Sequence, residues 1–165
     1  MHTRLRFIFF SIATLMFIIF LTTSCSTSSP AGFVHDRANL IPEDIEKSIE
    51  VRLSKIESDT TAEFVVVTVE SLEGATIDKY AFELFNAWGI GKKDKNNGVL
   101  LLVAPNERMA RIEIGLGLEK YISNDKAREI LNAEIFPPFR SGDMVKGIEQ
   151  GVIALEKEIR LVYSK

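Results

Sequence analysis

Asp94, Asn96, Asn97 and Glu119 place carboxylate and amide oxygens at the two ends of one stretch, residues 94–119. Such oxygens are the ligands that Ca²⁺ and other hard cations take. Asp36 and Glu113 add two more carboxylates, and none of these groups falls at EF-hand spacing. Arg111 offers a guanidinium for an anion or substrate, the geometry that suits phosphate oxygens. A plainer reading stays open for each. Asn96-Asn97-Gly98 is also a turn, because Asn and Gly tolerate positive φ. Arg111 and Glu113 also fit one solvated face of an edge strand.

The order of elements decides whether those oxygens meet. Val99 to Ala104 is apolar without alternation, which predicts a strand buried on both faces. Pro105-Asn106-Glu107-Arg108 reads as a loop, and Met109 to Ile114 as a second strand, so the pair is expected to be an antiparallel hairpin. A hairpin returns Gly115-Leu116-Gly117-Leu118-Glu119 to the end where Asp94, Asn96 and Asn97 begin. That convergence makes this end of the sheet the candidate site.

Upstream, Phe33 to Asp36 reads as an edge strand or an extended lead-in. Pro42 opens a helix whose first turn carries Glu43 and Asp44, and Ile45, Ile49, Leu53 and Ile56 recur at helical spacing. The run FVVVTV, 64–69, predicts a central strand. Thr76 is the expected N-cap of the next helix and Gly89 its C-terminal glycine. Beyond the hairpin, Ser123 or Asn124 opens a helix that Pro137-Pro138 is expected to stop. A last helix begins near Gly142-Asp143. Its Gly147 and Gly151 cost about 1 kcal/mol each against Ala, which predicts close approach to the sheet or a neighbouring helix. A strand-helix-strand unit predicts a right-handed crossover and a parallel pair. The fold class that follows is α/β: a single-domain, three-layer α/β/α sandwich around a small mixed β-sheet.

Composition excludes several chemistries. Beyond the first 24 residues there is one histidine, His35, and one cysteine, Cys25, so a zinc site is poorly supplied. No Gly-x-Ser-x-Gly elbow or phosphate-binding loop occurs, and Gly115-Leu116-Gly117 lacks the third glycine of a dinucleotide fingerprint. No nucleotide or redox cofactor is expected. Net charge is −3 with no basic stripe, which argues against nucleic acid.

Residues 1–24 read as a signal peptide: Arg4 and Arg6, then 15 residues from Phe7 to Leu21 dominated by apolar side chains, then Thr22-Thr23-Ser24. The run is short against the roughly 20 residues of a spanning helix, although a tilted anchor is the alternative. Removing the segment takes away two positive charges. Cys25 follows directly and resembles the lipobox cysteine of bacterial lipoproteins, with Thr22 where that motif usually has Leu. The resemblance implies lipidation of Cys25, with 25–32 as a lipidated, flexible tether. An ordinary signal followed by a chance cysteine is the alternative.

Several motifs in order carry a wider resemblance: Val34-x-Asp36-x-Ala38-x-Leu40, Phe85-x-x-Trp88-x-Ile90-Gly91, Asn96-Asn97-Gly98-Val99-Leu100-Leu101, Arg111-x-x-x-Gly115-x-Gly117-x-Glu119, and Phe136-Pro137-Pro138-Phe139-Arg140 with Gly142-Asp143. They resemble the TPM domain of thylakoid-lumen phosphatase-like proteins over residues 33 to 160, within a domain drawn as 33–165. The resemblance implies an extracytoplasmic domain, often membrane-tethered, in which Asp36 joins Asp94, Asn96, Asn97 and Glu119 around a Ca²⁺. Many bacterial members carry a C-terminal membrane helix, and with the sequence ending at Lys165 the N-terminal lipid is the expected tether. Two functions are implied: an accessory factor for membrane protein complexes, or a metal-dependent acid phosphatase acting on phosphomonoesters with Arg111 at the substrate. The expected location is the periplasmic side of a membrane or the cell surface.

Overall fold

The computed structural model describes residues 31–164. The signal segment 1–24, Cys25 and most of the tether lie outside the described residues. Four strands form one sheet in the order β1 (Val34–Asp36), β2 (Glu63–Thr68), β3 (Gly98–Ala104), β4 (Met109–Ile114). The first three strands are parallel and β4 returns antiparallel to β3, so the sheet is mixed as expected.

Alternation along the strands divides the core in two. One face carries Val34, Val66, Leu101 and Ile112 in a single row, and packs against α1 (Glu43–Thr60) and the helices after the hairpin. The other carries Val65, Val67, Leu100 and Leu102 under α2 (Ile77–Trp88), the one helix that covers it among the described residues. This is the three-layer sandwich, with unequal outer layers. All seven residues of β3 are buried, because helices cover both its faces. The step from β1 to β2 and the step from β2 to β3 go the same way across the sheet. Yet α1 lies on one face and α2 on the other, so the two crossovers have opposite hands. One of them therefore departs from the right-handed rule.

Local chemistry explains most boundaries. Thr76 Oγ1 accepts from Lys79 N–H (3.3 Å), and Gly89, at φ 62°, ends α2 in the left-handed region. Ser123 caps α4 (Asn124–Ile130) by accepting from Lys126 N–H (3.2 Å). Between the hairpin and α4, the glycine-rich end forms a single turn, α3 (Leu116–Glu119).

Pro137-Pro138 does not stop the chain's helical course. A π-helical segment, Leu131–Ile135, follows α4, and α5 (Phe136–Arg140) then takes both prolines in its first turn. The π segment closes with Phe136 N–H donating to Leu131 O, and the two prolines that follow have no N–H to donate upstream. The glycines of α6 (Met144–Tyr163) accommodate that insertion. A Cβ on Gly147 would lie 2.7 Å from the Phe139 ring, and one on Gly151 2.6 Å from Ile135 Cδ1. The close approach predicted for these glycines is thus to the neighbouring helical segment.

Leu101 is fully buried and Asn106 is exposed in the hairpin loop. Leu101→Ala is expected to cost about 2–5 kcal/mol. Asn106→Ala, which loses only an exposed bond to Glu70 O, is expected to cost under about 1 kcal/mol. Urea denaturation of both variants checks this, and equal midpoint shifts would contradict the doubly buried strand.

Candidate functional site

At the amino end of the parallel strands the two nominated segments do meet, backbone on backbone. Gly117 N–H donates to Asn96 O (2.9 Å) and Gly115 N–H to Gly98 O (2.9 Å). A Cβ on Gly117 would collide with Lys95 O, and one on Gly98 with Ile90 O. Only glycine lets the chains lie this close.

Asn97 fastens the junction. It is 2% exposed, its Oδ1 accepts from Lys92 N–H (3.0 Å), and its Nδ2 donates to Thr61 O (2.9 Å), with Thr61 Oγ1 and Tyr163 Oη also in reach. Thr61 sits at φ 66°, a conformation costly for a β-branched residue, and both its oxygens are engaged there. Lys92 bonds Glu57 and lies 3.7 Å from Glu63, and the Glu57 bond raises its pKa. Asp94, Asn96 and Glu119 stand exposed around this junction.

Asp36 is not among them. Register pairs Asp36 with Thr68 at the carboxyl end of β2, whereas Glu63, beside Asn97 and Gly98, begins that strand. Five strand steps, about 16 Å, separate the ends. One ion therefore cannot bridge Asp36 and the other four. The Asp36 carboxylate instead shapes the turn into α1: Oδ1 accepts from Leu40 N–H (3.1 Å) and from the Thr68 hydroxyl, and Oδ2 from Ile41 N–H (2.7 Å). Ala38 N–H in turn donates to Thr68 Oγ1 (3.0 Å).

Arg111 faces α2, not open solvent. Its Nε lies 3.2 Å from Glu113 Oε2 and its Nη1 3.3 Å from Asp78 Oδ1, so two carboxylates already balance the guanidinium. In the same row across the sheet, His35 meets Trp88 edge-on at 4.9 Å, with the Arg37 guanidinium 5.0 Å over that indole. Burial lowers the His35 pKa below its ordinary 6.5. The bond to Gly32 O opposes that shift and nearby Arg37 adds to it.

Sequence reading passed over Glu107. Its Oε1 accepts from Leu72 N–H (3.1 Å) and Ser71 Oγ (3.2 Å), and the Leu72 bond lowers its pKa. Its other oxygen is buried and has no protein partner among the described residues. The Asp78–Arg111 and His35–Trp88 contacts were also missed. All three join residues more than thirty positions apart, and no local spacing signals them.

The TPM domain family model matches residues 34–158. The chain belongs to the TPM domain family. Among solved structures, the N-terminal domain of a Porphyromonas gingivalis protein is 32% identical, with a TM-score of 0.74 over 81% of this chain and 85% of that one. The BA42 protein of the psychrophilic bacterium Bizionia argentinensis is 22% identical (TM-score 0.62, covering 72% and 81%). The N-terminal domain of a Corynebacterium glutamicum protein is 18% identical (TM-score 0.59, covering 79% and 81%). Those two share the fold. None of the curated proteins matches the chain. Within this TPM domain, the motif residues Asp36, Asn97, Gly98 and Gly117 all hold backbone in place.

Gly117→Ala is accordingly expected to destabilise the domain by about 1–3 kcal/mol, the usual cost of overpacking. Leu116→Ala next to it, 75% exposed, is expected to change stability by under about 0.5 kcal/mol. Equal losses in chemical denaturation would disprove the close-packed junction.

His35 gives a pH prediction. The unfolded chain protonates this ring near its ordinary pKa, and the folded domain does so only at lower pH. Protons then favour the unfolded chain, so the contribution is complete above about pH 6.5 and declines as pH falls below it. Melting temperatures followed downward from neutral pH are expected to show that decline, and His35→Gln to reduce it. An unchanged slope in the variant would assign the effect elsewhere.

Proposed function

We propose that this chain is a membrane-tethered, extracytoplasmic TPM domain that works by binding, as an accessory factor for a membrane protein complex. The observation that carries this reading is where the charged groups of the family motifs are spent. Asp36 gives both oxygens to backbone N–H groups and a hydroxyl, and Arg111 is bracketed by Asp78 and Glu113. Phosphoryl transfer needs concentrated positive charge on the transferring group. A phosphomonoester at Arg111 would have to compete with two carboxylates already there. The tether in this reading is the lipid on Cys25. No helix among the described residues is long and apolar enough to cross a membrane.

A cation such as Ca²⁺ belongs in this reading at the amino end of the strands. Asp94, Asn96 and Glu119 supply exposed hard oxygens there, the donor type Ca²⁺ takes. Among the described residues no three His, Cys, Asp or Glu side chains stand together as an ion site, so the ion would also draw on backbone carbonyls and water. Asp36 takes no part in it.

The full chain tests both halves. Millimolar Ca²⁺ is expected to raise the melting temperature, as any ligand selective for the folded state must. Asp94→Ala and Glu119→Ala are each expected to remove most of that rise, while Asp36→Ala leaves it in place. No shift with Ca²⁺, Mg²⁺ or Mn²⁺ would remove the cation from the reading. Phosphomonoester hydrolysis that disappears in Arg111→Ala would replace the accessory role by the phosphatase. Cys25→Ser is expected to abolish lipoprotein processing, and a cleaved variant still held at the membrane would refute the lipid tether.

A further inference from the structure

We propose that the solvent face of α6 is a self-association surface that pairs two copies of this chain about a two-fold axis. The helix buries Ile148, Val152, Leu155 and Ile159 against the sheet. Its opposite face carries Ile153 and Leu161, 52% and 50% exposed, one helical turn either side of Lys157. A groove of about 400 Å³ runs between this face and the α4–π segment, lined by Ala133, Ile153 and Ala154 together with charged side chains that include Lys157 and Glu158. A second concavity of about 510 Å³ lies on the α1 side, lined by Ile153 and Leu161.

Charge singles out a second copy as the occupant. The neighbouring ions pair within the chain, Arg52 and Arg160 with Glu156, and Lys126 with Glu129. Lys157 and Glu158 make no ion pair among the described residues, and they are adjacent and of opposite sign. In antiparallel helices, facing positions advance in opposite directions along the two chains. Setting Lys157 against the partner's Glu158 therefore sets Leu161 against the partner's Ala154. Each leucine then enters the other copy's groove, where small residues leave room, and symmetry makes the Lys157–Glu158 pair twice. A patch that is its own complement closes as an isologous dimer and goes no further. One helix pair is a small interface, so association in the micromolar range is expected.

Sedimentation equilibrium on residues 31–165 tests this. The elements β1 to α6 close both halves of the core, and the P. gingivalis relative was solved in solution as an N-terminal domain. A concentration-dependent dimer is expected. Leu161→Glu and Lys157→Glu are each expected to weaken it at least about tenfold, and Lys157→Glu/Glu158→Lys to restore it. Thermal melts establish that each variant is folded. A chain monomeric up to millimolar concentration would overturn the proposal and leave the face to a different protein. So would a dimer indifferent to all three variants.

Discussion

Backbone packed directly on backbone at the amino end of the strands is the constraint on which the rest depends. Gly98 and Gly117 let three chain segments lie closer than any side chain allows, and Asn97 closes the gap they leave. A buried amide with unmet bonds costs more than its bonds gain, so Asn97 holds all its partners or destabilises them all. Those partners are the end of α1, the loop before β3 and the last turn of α6. The junction thereby fixes where β3 starts. A one-residue slip would send every β3 side chain to the opposite face, and both halves of the core are built on that alternation.

The same economy governs the sheet edges. An open edge offers unpaired N–H and C=O groups to other chains. At the β1 edge the Glu50 carboxylate accepts from Phe33 and Val34 N–H (3.0 and 2.8 Å), which occupies the Val34 donor that an added strand would use. At the β4 edge Ile112 is 1% exposed, buried in the core on one face of the sheet. The helical faces are the other surfaces open to partners. The side built from several helices offers the larger such surface.

Elements with strong local signals were legible in the sequence. The unbroken apolar run at 99–104 marked a strand covered on both faces, Ile49, Leu53 and Ile56 marked α1, and Thr76, Gly89 and Ser123 marked helix ends by their own hydrogen-bonding and φ preferences. The meeting of Gly117 with Asn96 was legible too, because a short hairpin leaves no other arrangement. What was not legible depended on partners far along the chain. Asp36 joins the amino-end oxygens on the family resemblance alone, and the register of a three-residue strand, which sets it at the other end, carries no local signal. The prolines were read as a stop because the glycines that make room for the π segment lie about ten residues later. The opposed crossovers were invisible for the same reason, since which face a helix covers is settled by the whole core.

A family signature need not be a catalytic signature. The motifs that identify this TPM domain are rich in Asp, Asn and Gly, the composition of a binding loop, and also of chain turns and crossings. In this chain the second role takes most of them. Using Asp36 in chemistry would release Leu40, Ile41 and Thr68 together and undo the entry to α1. Its place in this chain is explained by that turn, whatever the domain binds. Binding by this domain then falls to groups the fold leaves unspent. Here those are the exposed oxygens around the glycine junction and the outer faces of the helices.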